Sequence, residues 1–394
     1  MKLELRKRES ISRRAAIVVP LASFGVSLLF GAILLTISGA NPLQTYAAMA
    51  GGAFGSVNGL SEVLVKSIPL ILTGLGVALA FRMRFWNIGA EGQLTMGAVA
   101  AAGVALFWSQ GLPAWTILPL ALLAGCVAGA IWAGVPAILK AFLNVDETLT
   151  TLMLNYVAVL FSEHLYYVAW RAPNYNSGTE RIPEFAWLPR IFGRAHAGIF
   201  IGLAIAVLLW AVFRYTRWGF ELKIIGANPT AARYLGISIA RNIVVTLLVS
   251  GAISGLAGAS EVLGLTRRLQ QGISVGYGYT AIIIAWMAQL NPLGVVLVAF
   301  LMAALAVGGD QIQMRMRLPA SVGVVLQGML LIPMLAGSIF REYSLHATRA
   351  KNQESRIENR EDSDQAEDGA VDGESAGTGG SAGSLGSGGT EGSA

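Results

Sequence analysis

Apolar and polar residues are segregated into long blocks along this chain. Apolar runs cover about residues 15–37, 63–81, 91–109, 114–139, 148–170, 198–213, 241–263, 278–290, 292–309 and 319–340. A helix needs about 20 mostly apolar residues to cross a hydrocarbon layer of roughly 30 Å. The pattern therefore predicts an all-α, polytopic membrane protein with about ten transmembrane helices. The first run is longer than a signal-peptide core and lacks a small-residue cleavage site, so it is expected to remain as the first span. Asn41–Leu60, rich in Gly and Ala, is expected as a non-spanning outer connection. The longest outer loop, Arg171–Ala197, holds Pro173, Pro183 and Pro189; it suits either a rigid outer surface or a mere connector.

Composition supports this class. Of 394 residues 54% are hydrophobic and only 13% charged, where soluble domains carry roughly 25% charged residues. The single cysteine, Cys126, lies in an apolar run and rules out a disulfide framework. From Lys351 onward the tail carries net −7, which leaves +12 on the remainder of a chain whose net charge is +5. With the N-terminus inside, nineteen Lys and Arg fall on cytoplasmic segments and nine on outer ones. That asymmetry predicts cytoplasmic N- and C-termini. Three parts follow: a basic N-terminus (1–14), a membrane domain (15–345), and a tail (346–394) that is acidic, then Gly/Ser-rich, and expected to be disordered.

The largest polar island between spans is Arg214–Asn242, placed in the cytoplasm by the charge count. Within it, Asn228-Pro229-Thr230-Ala231-Ala232-Arg233-Tyr234-Leu235-Gly236 has the punctuation of one short helix. Asn228 suits the N-cap, Pro229 the first turn and Gly236 a left-handed stop. Two turns of helix are not stable alone in water. The segment is either a docking element or a well-capped linker.

Two stretches echo each other. Asn87–Thr95 opens the third run and Ser274–Thr280 the eighth. Each has closely spaced glycines before a helix, and each helix is followed by a Pro-containing turn (Leu112-Pro113; Asn291-Pro292). This suggests an inverted repeat with interrupted helices meeting near a midplane site. Asn87, Glu91 and Gln93 either hydrogen-bond a polar solute or brace a broken helix. Asn155, on the fifth run, can face a central cavity, while Glu163 and His164 approach that run's outer end. Tyr277, Tyr279 and Trp286 can stack on a planar solute or pack in the core.

No GxxxxGK[ST] phosphate loop and no HExxH occur, and Asp146 and Asp310 fall on opposite sides of the membrane in this topology. Nothing resembles an active site, which leaves transport or a channel.

At Phe85-Trp86-Asn87-Ile88-Gly89-Ala90-Glu91-Gly92-Gln93 and at Gly226–Ile237, the sequence resembles the permease subunits of bacterial and archaeal ATP-binding-cassette importers. The likeness is to the ribose and branched-chain amino acid permease superfamily, and within it to the nucleoside branch that works with lipoproteins of the basic membrane protein type. It covers roughly residues 15–345. The resemblance implies a multi-pass subunit of the plasma membrane that forms a translocation path for nucleosides. A second permease as heterodimer partner, two cytoplasmic ATPase subunits and an external substrate-binding lipoprotein would complete the importer. Asn228, Pro229, Thr230, Ala231, Ala232, Arg233, Tyr234, Leu235, Gly236 and Ile237 would form the helix that couples to the ATPases. Asn87, Glu91, Gln93, Asn155, Tyr277 and Tyr279 are the solute-path candidates by position. No cofactor, metal or nucleic acid is expected, and membrane lipid surrounds the chain. The alternatives are a simple sugar such as ribose or galactose as cargo, or an ATP-independent carrier or channel.

Overall fold

In hydrocarbon every backbone polar group must be satisfied within the protein, and helices do this segment by segment. The computed structural model describes residues 2–7, 15–108, 111–173, 177–273, 275–316 and 343–348, with scattered positions between 322 and 337. Residues 20–337 form one compact unit; residues 1–19 and 338–394 form another. In the second unit, β1 (Lys2–Lys7) pairs antiparallel with a strand at Tyr343–Thr348. Residues 349–394, most of the tail expected to be disordered, lie outside the described residues.

Helix α1 (Ala15–Ile37) runs into the larger unit, where its Ala22–Ile37 part and α2 (Pro42–Phe54) meet at 113°. Gly39 turns the chain at φ +77° and Asn41 caps α2 by accepting from the Leu43 and Gln44 amides. Asn41–Leu60, expected as a non-spanning connection, is mostly helix. It leads into α3 (Val57–Phe81), which is followed by α4 (Ala90–Phe107), α5 (Ala114–Leu143) and α6 (Glu147–His164). A π-turn at Leu165–Ala169 prolongs α6. The loop that follows, expected as the longest outer loop, carries a small hairpin, β2 (Arg190–Phe192) and β3 (Ala195–His196). After it come α7 (Gly198–Tyr215), α8 (Arg217–Ala227), α9 (Pro229–Tyr234), α10 (Ile239–Glu261) with its own π-turn at Val262–Thr266, α11 (Tyr277–Met287) and α12 (Pro292–Met316).

Among the described residues, six helices are long and apolar enough to cross a membrane, and seven if the bent α1–α2 pair is one crossing. They are α3, α4, α5, α7, α10 with its π-turn, and α12. The expected spans at 148–170, which holds α6, and at 278–290 are not among them. Gly276 starts α11 in the left-handed region, and Gln289 and Leu290, also left-handed, follow its end. Eleven residues of helix reach about 16 Å, half a bilayer. The expected span at 319–340 lies largely outside the described residues.

The core is built around α3, whose apolar window is 89% buried, with α10, α11 and α12 against it. Small residues make this possible. A Cβ on Gly129 of α5 would strike the Gly251 carbonyl of α10, and one on Gly258 of α10 would strike the Leu94 carbonyl of α4. Backbones that close interlock by shape, the means of association where lipid removes the hydrophobic drive.

Candidate functional site

The chain leaves α3 at Phe81 and does not resume helix until Ala90. Asn87 holds this break together. Its Oδ1 accepts from the Gly89 amide (3.1 Å) and Gln93 Nε2 (3.0 Å), while its Nδ2 donates to Gln93 Oε1 (3.3 Å) and Ser250 Oγ (3.1 Å). Ser250 Oγ donates in turn to the Gly76 carbonyl of α3 (2.7 Å). Asn87 and Gln93 are fully buried, and their amides are occupied by one another and by their surroundings. The bracing role weighed from sequence is therefore the geometry present.

Asn155 of α6 serves the other side of the break. Its Oδ1 accepts from the Gly92 amide (2.8 Å), and its Nδ2 donates to the Ile88 carbonyl (2.9 Å) and the Tyr279 hydroxyl (3.4 Å). The Ile88 amide donates to Thr151 Oγ1 (3.2 Å).

The two echoing stretches touch. Glu91, in the first turn of α4, accepts from the Gly276 amide through Oε1 (2.7 Å) and from the Gly278 amide through Oε2 (2.5 Å). Gly278 lies so close to the Glu91 backbone that a Cβ there would overlap it. Two helix N-termini, α4 and α11, thus abut with one carboxylate between them, where the positive ends of both helix dipoles favour a negative charge. Tyr277 is buried, Tyr279 is 40% exposed, and Trp286 packs against Phe81 and Trp86 at centroid distances of 6.0 and 5.9 Å. Sequence reasoning missed Thr151, Ser250 and Gly278 as partners. Ser250 and Asn87 are 163 residues apart, and a serine in a Gly/Ala/Ser-rich run carries no signal of its own.

The polar island folds as its punctuation predicts. Asn228 Oδ1 accepts from the Thr230 (3.0 Å) and Ala231 (3.2 Å) amides. At the other end the Ile237 amide bonds the Ala232 carbonyl and the Gly236 amide bonds the Arg233 carbonyl, each at 3.0 Å, with Gly236 at φ +73°. This 6→1 and 5→2 pair is the Schellman stop. Ala232 is fully buried against the chain itself, whereas Tyr234 (89%) and Leu235 (64%) are exposed. The flank before it is the helix α8, capped by Thr216. Leu222 and Ile225 bury its inner face, and Gly226 seats it on the Arg82 carbonyl at the end of α3. Asn242 Nδ2 donates to Glu221 Oε2 (2.9 Å), tying α8 to α10.

The loop between α6 and α7 is strapped to the segment after α10. The amides of Thr179, Ile182 and Leu188 donate to the carbonyls of Leu269, Arg267 and Leu263. The Trp187 ring lies 3.7 Å from Arg267 Cζ and 4.7 Å from Arg181 Cζ. His196 is fully buried; burial, and then the nearby Arg267 charge, push its pKa down to about 4 and keep it neutral.

Residues 59–335 match the family described as branched-chain amino acid transport system / permease component. A glucose ABC transporter permease of Haloferax volcanii is 34% identical over 87% of this chain and 93% of its own length. A guanosine ABC transporter permease of Bacillus subtilis is 35% identical over 79% of this chain and 91% of its own. A nucleoside ABC transporter permease of Lactococcus lactis is 31% identical over 74% of this chain and 83% of its own. A protein whose membrane helices join at small residues, whose two broken helices meet at one carboxylate, and which matches these permeases over most of its length belongs to this family of transport permease components.

Proposed function

We propose that the chain forms the translocation path for nucleosides in an ATP-driven importer and that α9 is the element that couples it to ATPase subunits. The observation that carries the coupling role is α9 itself. It is closed at both ends by its own side chains and turn, braced from behind by α8, and turns Tyr234 and Leu235 outward. A rigid two-turn helix showing an aromatic and an aliphatic side chain to water fits a groove on a partner. Tilting of helices about the α4–α11 junction would open the path to one side and then the other. The complete importer would hold a second, related permease, two cytoplasmic ATPases and an external binding lipoprotein, in the plasma membrane. The nucleoside assignment rests on the Asn87–Gln93 phrase and on the guanosine and nucleoside relatives. A sugar is the second reading, favoured by the glucose permease that matches 87% of this chain.

Uptake of labelled adenosine, ribose, galactose and glucose in a deletion strain carrying the whole importer decides the cargo. Adenosine uptake that disappears on ATP depletion is the expected result. Uptake that survives ATP depletion would remove the importer reading. Because Ala232 faces inward, Tyr234→Asp and Leu235→Asp are the probes for docking. Each is expected to abolish uptake while the chain still inserts, and normal uptake in both overturns the coupling role.

A further inference from the structure

Between Leu269, whose amide is held by Thr179 Oγ1 of the outer loop, and Gly276, held by Glu91, none of the described residues is helical. It descends from the outer loop to the start of the apolar helix α4. Non-helical backbone at such depth is tolerated only where protein buries it or where it lines a wet cavity. Here it lines one. Gln270, Gln271, Gly272 and Ile273 form one wall of a cleft of about 280 Å³, close to the lower bound of about 300 Å³ for small-molecule sites. Thr95 of α4, one turn beyond Glu91, and Ser162, Glu163 and Tyr166 of α6 and its π-turn complete it. Tyr167 donates its hydroxyl proton to Gln271 Oε1 (3.1 Å), which leaves the Gln271 amino group as the donor end.

The polar lining is one carboxylate, two carboxamides and hydroxyls. Among the described residues, the Glu163 carboxylate has neither a hydrogen bond nor an ion pair. Two carboxylate oxygens with free lone pairs match two adjacent hydroxyl groups, and such charge-assisted bonds are about twice as strong as neutral ones. Carboxamides complement further hydroxyls or ring heteroatoms. We infer that this cleft is an outer binding station for the vicinal diol of the cargo, with Glu163 accepting from both hydroxyls and Gln270 and Gln271 fixing orientation. The assignment rests on the proposed importer function, and the diol is shared by the ribose of a nucleoside and by a hexose. A guest here would press on the segment whose far end Glu91 holds. Binding and the α4–α11 junction are thereby joined by a few residues of chain.

The test is a ratio of uptake by the complete importer: adenosine against 2′,3′-dideoxyadenosine, and glucose against 2,3-dideoxyglucose, each second member lacking adjacent hydroxyls. The external binding protein is common to all variants, so its own preference cancels when variants are compared with the wild type. Glu163→Gln is expected to lower the adenosine ratio, or the glucose ratio if the cargo is a hexose, by about tenfold. Glu163→Asp, which keeps the charge, is expected to recover part of that loss. A ratio unchanged in Glu163→Gln, or equal loss of both members of the pair, overturns the diol station while leaving the importer reading intact. Failure of the wild type to take up either diol-bearing solute overturns the cargo reading and the station with it.

Discussion

Glu91 is the single side chain on which two helices end. Its carboxylate accepts from the Gly276 and Gly278 amides, so removing it strips both bonds and leaves the α11 N-terminus with unpaired donors in a dry setting. Glu91→Ala is expected to cost about 2–4 kcal/mol, seen as a lower midpoint of thermal unfolding in detergent-solubilised protein, with loss of uptake. A midpoint within error of the wild type would show that α11 is held by other contacts. The presence of Glu91, Asn87 and Gln93 at a helix break was legible in the residues, because amides and a carboxylate after closely spaced glycines need partners. Their partners were not legible, since Ser250, Asn155 and Gly278 come from distant runs and only packing selects them.

At the scale of elements, α9 shows how much local chemistry can dictate. Its N-cap, first-turn proline and left-handed glycine are all sequence-local devices, and the helix they bound is present between those residues. Gly236→Ala places a side chain at φ +73° and is expected to destabilise the Schellman stop by about 1–2 kcal/mol. The resulting loss of coupling should appear as solute uptake falling several-fold while ATPase activity in the assembled importer persists. Retained uptake would mean that the turn tolerates strain or that coupling lies elsewhere. The helix α8 was harder to see. Arg217, Glu221 and Lys223 make it look like solvated membrane-edge sequence, and only its seat on the Arg82 carbonyl reveals a buried face. For α11, apolarity by itself suggested a full span. The left-handed residues on either side of it decide its length.

For the whole molecule, sidedness can be checked against contacts. Lys66 pairs with Asp310, Arg194 with Glu62 (2.7 Å) and Lys140 with Glu147 (2.7 Å). In each pair both partners fall on the same side by the positive-residue count, the first two outside and the third inside. No pair requires an ion to reach across the bilayer. Because Cys126 is the one cysteine, single-site labelling is direct. In a Cys126→Ala background, Tyr234→Cys is expected to react with a membrane-impermeant maleimide only in inside-out vesicles. Arg190→Cys should react only in right-side-out ones. The reverse pattern would invert the topology and remove α9 from the ATPase side.

Apolar run length and Lys/Arg asymmetry determined that this is a helical membrane protein and supplied the expected orientation, since the cost of burying a backbone or a charge in lipid is the same wherever it occurs. The punctuation of Asn228–Gly236 determined α9, because caps act within a few residues. Which helices are long and apolar enough to cross was decided by tertiary structure, through the bend between α1 and α2 and the shortness of α11. So was the meeting of α4 and α11 at Glu91. Such contacts depend on backbones approaching at Gly129, Gly251, Gly258 and Gly278, and a glycine in sequence does not say which helix will come close to it.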